Sequence, residues 1–207
     1  MATVIKVIAA AEPADFDAKV REPGEKFLAR CPHPKNGQWD KKEFWRRAIP
    51  DLRKAYSEIC AFSCFWVPPA TGFSSVDHFE AKDDYPEKAY EWSNFRFVCG
   101  SLNGKKGKFV VLDPFEIEDG WFIIDFLSLL VKPSAGLAEP IKLQVAETCR
   151  ILGLNNQSTC VAERAHYLAE YCLAGKEGMA LLERNAPFLA KELKRQGLEE
   201  EIKNFFS

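Results

Sequence analysis

The sequence predicts an α+β fold, on three observations. A central stretch carries short aromatic-rich segments of strand character, and the residues after Glu139 switch to a helical repeat of apolar positions. The chain, at 207 residues and 47% hydrophobic, is also long enough to bury a core beneath both.

Taken in order, Thr3 to Ala9 reads as a short strand, and the remainder up to residue 39 as mostly loop, because Pro, Gly and charge are dense there and Asn36-Gly37 marks a turn. Asp40 with Glu43 makes a capping pair before a helix whose apolar positions include Phe44, Ala48, Leu52, Ala55 and Ile59, kinked or split by Pro50. Strands are expected at Ser74 to Phe79, Phe95 to Cys99 and Phe109 to Leu112, and Trp121 to Val131 reads as a further strand pair. Ile141, Val145, Cys149 and Leu152 share one helical face, with Gly153 as its C-terminal cap. A second helix carries Val161, Ala165, Leu168 and Cys172, and a third runs from Pro187 to Gly197. Three regions are expected: 1–55, a strand and loop region with the lead-in helix; 56–112, the module carrying the chemistry; and 113–207, short strands and a helical layer.

Composition narrows the function classes. The net charge of −2 and a pI near 6.0 argue against a globally basic nucleic-acid binder, so any basic footprint is local. The most hydrophobic run, Trp121 to Val131, is interrupted by Asp125 and falls short of the roughly 20 residues a membrane helix needs. No membrane role is expected, and with no secretory leader pattern the expected location is cytoplasmic. Seven cysteines without the spacing of a disulfide framework read as reduced thiols, with Cys149, Cys160 and Cys172 on apolar helical faces.

The chemistry is expected around Asp77-His78. On an extended segment, adjacent side chains point to opposite sides, which lets an aspartate face a divalent cation while a histidine faces a water. An imidazole near its ordinary pKa of about 6.5 takes a proton from water at neutral pH. The chain has three histidines, and His33, in a Pro-flanked loop, and His166, on a helical pattern, read more simply as structural residues. Alone, an Asp-His dipeptide carries little weight; its weight here comes from Trp92-Ser93-Asn94-Phe95 and Asn103-Gly104-Lys105-Lys106-Gly107 further along.

That string, Asp-His, then Asn, then Asn-x-Lys-Lys, resembles the HNH endonuclease family. More narrowly, Val76-Asp77-His78-Phe79-Glu80-Ala81-Lys82, Tyr85-Pro86, Ala89-Tyr90-Glu91-Trp92-Ser93-Asn94 and the Asn103 segment resemble the HNH nucleases of Septu-type bacterial anti-phage systems, over roughly residues 45 to 165. The resemblance implies a ββα-metal core, a β-hairpin followed by a helix, with flanking helices and a C-terminal helical layer. It implies His78 as the general base, Asn94 as the brace of the loop presenting it, and Asp77 and Asn103 as ligands of one divalent cation, Mg²⁺ or Mn²⁺. It also implies a nucleic-acid substrate, DNA before RNA, and a separate ATPase partner in antiviral defence.

One departure concerns zinc. Many relatives staple the hairpin with two Cys-x-x-Cys pairs, but here the first reads Cys60-Ala61-Phe62-Ser63-Cys64 and the second pairs Cys99 with Leu102, which cannot bind a metal. No structural zinc is expected, and packing by Phe62, Phe65, Trp66 and Leu102 is expected in its place. From Trp92 to Leu112 there are Arg96, Lys105, Lys106 and Lys108 and no acidic residue, a local footprint for phosphate that Lys82 extends. Gly100 to Lys106 misses the spacing and the Ser/Thr of a P-loop, and no acyl-transfer constellation is present. The alternative to a nuclease is a non-catalytic nucleic-acid- or partner-binding module on the same scaffold.

Overall fold

The computed structural model describes residues 7–35 and 37–205. Among them are eight α-helices and two separate two-stranded antiparallel sheets, an α+β composition. The described chain divides into two compact units. One comprises residues 8–35, 37–60 and 67–108; the other comprises Val7, 61–66 and 109–205. The first thus takes in both the lead-in helix and the segment expected to carry the chemistry.

The first unit begins with a helix that the sequence reading missed. A π-helical segment, Asp17–Arg21, runs into α1, Glu22–Leu28, and buries Phe16 and Val20. Pro23 and Gly24 made this stretch read as loop. Pro23 lies just past the π-helical turn, with helical backbone on both sides, so the widened turn takes up its ring and missing N–H. Gly24 lies against Tyr90, whose ring atoms come within 2.2 Å of where a Cβ would stand. The expected strand at Thr3 to Ala9 falls largely outside the described residues, and Val7 to Ala9 are irregular.

Pro50 divides the lead-in helix as expected: a 3₁₀ turn, Phe44–Ala48, precedes α2, Ile49–Ala55, with Pro50 in the first turn. No side-chain cap from Asp40 starts it; the residue before the 3₁₀ turn is Glu43. Strands β1, Ser74–His78, and β2, Phe95–Cys99, pair with Ser74 opposite Cys99, Asp77 opposite Arg96 and His78 opposite Phe95. The connection from 79 to 94 contains two 3₁₀ turns, Pro86–Lys88 and Trp92–Asn94. Helix α3, Gly100–Lys106, follows β2 directly and ends at Gly107, whose φ of 48° suits glycine.

In the second unit, Phe109 to Leu112 form no strand, against expectation. Leu112 N–H donates to the Thr148 hydroxyl instead of to a neighbouring strand. Strands β3, Phe122–Asp125, and β4, Leu130–Pro133, make the expected pair. Helix α4, Glu139–Leu152, ends on Gly153 in the left-handed conformation, and α5, Ala162–Leu173, follows. Helix α6, Gly178–Asn185, and α8, Glu199–Phe205, were not anticipated, whereas α7, Pro187–Gln196, stops at Gly197 as expected. Among the described residues no helix is long and apolar enough to cross a membrane.

Candidate active site

Strand β1 delivers Asp77 and His78 to one end of the first unit, and α3 returns Asn103 to the same place. All three line a cleft of about 450 Å³, together with Trp45, Arg46, Phe73, Lys82, Asp83 and Lys108.

His78 is the most constrained of these. Its Nε2 lies 2.9 Å from the Ala89 carbonyl, and because a carbonyl only accepts, Nε2 carries the proton and Nδ1 holds the lone pair of the neutral ring. Trp45 and Phe95 meet the imidazole edge to face, with centroids at 4.8 and 5.3 Å. Burial pushes its pKa down to about 4, and repulsion by Lys82 and Lys106 adds to this, while the Ala89 hydrogen bond and Asp83 oppose it. The ring is neutral at pH 7.

Asn94 is buried and orients the backbone that follows His78. Its Oδ1 accepts from Glu80 N–H at 2.8 Å, and its Nδ2 donates to the carbonyls of Glu80 and Lys88 at 3.0 and 3.1 Å. Its own carbonyl accepts from Phe79 N–H. Asn94 therefore ties the residues following His78 to Lys88, the neighbour of the carbonyl that holds the ring.

Asn103 Nδ2 donates to Ser75 Oγ at 2.7 Å and to the Val76 carbonyl at 3.1 Å, which fixes the amide orientation and leaves Oδ1 as its acceptor. Asp77 is buried, with Oδ1 3.0 Å from Lys106 Nζ. Lys106 also donates to the carbonyls of His78 and Phe79, both at 3.1 Å, so its ammonium sits among three oxygens at the end of β1. The carboxylate of Asp77 and the amide oxygen of Asn103 are hard donors of the kind a small divalent cation takes, and two protein ligands suit a cation that keeps water and phosphate in its other positions. The donor types suit such an ion, while Asp77 Oδ1 is already held by Lys106.

The basic footprint is smaller than the sequence count implies. Arg96 and Lys106, expected at phosphate, are only 4% and 1% exposed. Arg96 donates to the Ser93 and Phe95 carbonyls and lies over the Phe79 ring, so neither it nor Lys106 is a surface contact. Lys105 is exposed, and Lys108 is exposed but pairs with Asp83 and Asp84 at 3.4 Å. Lys82 lies over the rings of Trp39 and Trp45 and contacts Asp83 at 3.2 Å. Asp83 also accepts from Trp39 Nε1 at 2.7 Å, and hydrogen bonds from Lys82, Trp39 and Lys108 hold its pKa below the usual carboxylate range against the opposing effect of burial.

Several site residues escaped sequence reasoning. Asp83, in the connection between the strands, and Trp45, in the 3₁₀ turn before α2, line the cleft without a local sequence signal for it. The partnership of Lys106 with Asp77 had a signal: Lys106 follows Asn103 by three residues, which places both on one face of a helix. Phe73 sits at the cleft edge 74% exposed, its ring so close to Gly100 that a Cβ there would meet it at 2.1 Å. Of the residues expected to replace a zinc staple, Leu102 and Phe62 are both buried, but Leu102 belongs to the first compact unit and Phe62, Phe65 and Trp66 to the second.

No protein-family model matches the chain, and no curated protein matches it.

Proposed function

We propose that this protein is a metal-dependent HNH-type endonuclease hydrolysing phosphodiester bonds, with His78 as the general base. One observation carries the reading. A neutral imidazole, its Nε2 anchored by the Ala89 carbonyl, closes a strand–strand–helix unit whose helix brings Asn103 to the cleft that Asp77 also lines.

In the reaction, His78 Nδ1 accepts a proton from the attacking water as its oxygen bonds to phosphorus and the bond to the leaving oxygen breaks. The low pKa favours the base form but weakens the base. A phosphodiester anion in the cleft offsets the repulsion from Lys82 and Lys106 and raises the pKa during the reaction. Asn94 keeps the Ala89 and His78 segments in register, and Lys106 fixes the carbonyls after β1. A divalent cation, Mg²⁺ or Mn²⁺, held by Asp77 and Asn103 supplies charge neutralisation at the phosphate. DNA as the favoured substrate, a role in anti-phage defence and a separate ATPase subunit rest on the sequence resemblance alone.

The test is cleavage of plasmid DNA, and separately of RNA, with Mg²⁺ or Mn²⁺. Cleavage is expected to stop with EDTA and to fall by about 10²–10⁴-fold in His78→Ala; unchanged cleavage by that variant would overturn the assignment. A second reading, a non-catalytic nucleic-acid- or partner-binding module, is favoured by the Lys106–Asp77 ion pair and by the burial of two of the five expected phosphate contacts. Salt-sensitive binding without cleavage under any divalent cation would select it.

A further inference from the structure

Two cysteines that the cleft does not use lie together at the far end of β2. Cys60 follows α2 and is buried, and Cys99 closes β2 immediately before α3 and is partly open to solvent. The Cys99 N–H donates to Cys60 Sγ at 3.3 Å, and the two thiols are hydrogen-bonded to each other. Cys99 Sγ is also 3.5 Å from Ser101 Oγ. We propose that this pair is a thiol modification site, in which Cys99 reacts with a peroxide and Cys60 resolves the product as an intramolecular disulfide.

The surroundings separate Cys99 from the other cysteines. Hydrogen bonds from Cys60, then Ser101 and backbone N–H groups, pull its pKa below the ordinary thiol range against the opposing effect of burial, which favours the thiolate. Burial alone pushes Cys64 to about 12 and, slightly offset by Arg164, does the same for Cys149. Those thiols are inert packing groups. Reactivity needs a stabilised thiolate and access together, and Cys99, unlike the buried Cys64 and Cys149, combines hydrogen-bond donors at its sulfur with partial exposure.

The chemistry balances with peroxide as the oxidant. The Cys99 thiolate attacks one peroxide oxygen, the O–O bond breaks, and Cys99 becomes a sulfenic acid while the other oxygen leaves as hydroxide and is protonated to water. Cys60 Sγ then attacks the Cys99 sulfur, the S–S bond forms, and the sulfenic OH leaves as water with the Cys60 proton. Two thiols are oxidised by one electron each, and one peroxide is reduced by two. The bond joins residues 39 apart in sequence and precedes Asn103 by four positions, so it covalently anchors the start of α3 without consuming a residue that lines the cleft.

The experiment uses the full chain, reduced, desalted and treated with hydrogen peroxide, followed by peptide mapping without reductant. The peptide pair linking Cys60 to Cys99 is expected to exceed any other cysteine pair by about tenfold, to disappear on reduction, and to accompany a rise in Tm. In Cys60→Ser, dimedone is expected to label Cys99 as trapped sulfenic acid, and in Cys99→Ser the linked peptide is absent. Oxidation scattered over Cys31 and Cys172 with no link between 60 and 99 overturns the proposal. So does equal dimedone labelling of Cys99 with and without Cys60. The wild-type map alone decides the matter if Cys60→Ser fails to fold, and the result is independent of whether the cleft cleaves nucleic acid.

Discussion

The register of β1–β2 sets Asp77 opposite Arg96 and His78 opposite Phe95, whereas that of β3–β4 sets Ile124 opposite Val131 and Asp125 opposite Leu130. In β3 burial alternates, with Phe122 and Ile124 inward and Asp125 toward solvent, as in a strand pair packed on one face. In β1 three successive residues, Val76, Asp77 and His78, are buried, so the strand is covered on both faces and two of the covered side chains are polar. Buried polar groups in the second unit, Thr148, Arg164 and Glu192, bond backbone N–H or C=O groups, and Glu192 also pairs with Arg195, whose side chain is half exposed. Those around β1 include an imidazole and an ion pair sealed at both ends, which cost stability to bury and make the first strand pair the candidate for function.

The largest effect that tests this contrast is on cleavage. His78→Ala is expected to lose about 10²–10⁴-fold in rate, while Glu192→Gln, in the second unit, is expected to lower stability with little change in cleavage per folded molecule. Equal losses of cleavage in both would erase the distinction. The next effect is on folding. The ammonium of Lys106 faces Asp77 with both side chains nearly sealed, 1% and 2% exposed, so Lys106→Met is expected to cost on the order of 3–5 kcal/mol in urea unfolding. Adding Asp77→Asn to that variant should restore much of the loss, because the uncompensated charge is then gone; a double variant no better than the single would place the cost in packing instead.

The residues that were legible in the sequence and those that were not differ in how local their causes are. Strand β2, α7 between Pro187 and Gly197, and the Gly153 cap follow from periodicity and punctuation within a few residues. Asp77, His78 and Asn103 were legible as a set, and the cleft gathers them. The helix ending at Leu28 was hidden because Gly24 answers to Tyr90, far along the chain. Phe109 to Leu112 have strand composition, but a strand needs a partner, and Leu112 instead meets Thr148. Charge counting placed Arg96 and Lys106 at phosphate because sequence reports the sign of a charge and not its burial.

Acid offers a finer test of the same comparison, because the two strand pairs titrate in different windows. His78 has a folded pKa of about 4 against about 6.5 unfolded, so the unfolded chain binds a proton first. The stability this contributes is complete above pH 6.5 and is lost as pH falls to 4, at most about 3 kcal/mol. Urea midpoints measured from pH 7 to pH 4 should fall in the wild type and fall less in His78→Phe, which keeps an aromatic ring against Trp45 and Phe95. Parallel curves for the two proteins would show that the imidazole is not held neutral.

The smallest effect belongs to β3–β4. Lys132, with some help from the Leu127 N–H and Ser128, holds Asp125 down to about 2, but this pair is open to solvent, with side chains 47% and 28% exposed. A depressed carboxylate stabilises the fold above its unfolded pKa of about 3.8 and loses that contribution only as pH falls toward 2. Between pH 4 and pH 7 the Asp125–Lys132 pair is therefore silent, and screening by water and salt leaves it little to contribute at any pH. Lys132→Ala is expected to leave the urea midpoint at pH 7 within error of the wild type and to leave the pH 7 to pH 4 slope unchanged. A loss approaching that of Lys106→Met would mean that burial does not separate the two ion pairs, and the functional reading of β1 would lose its energetic support.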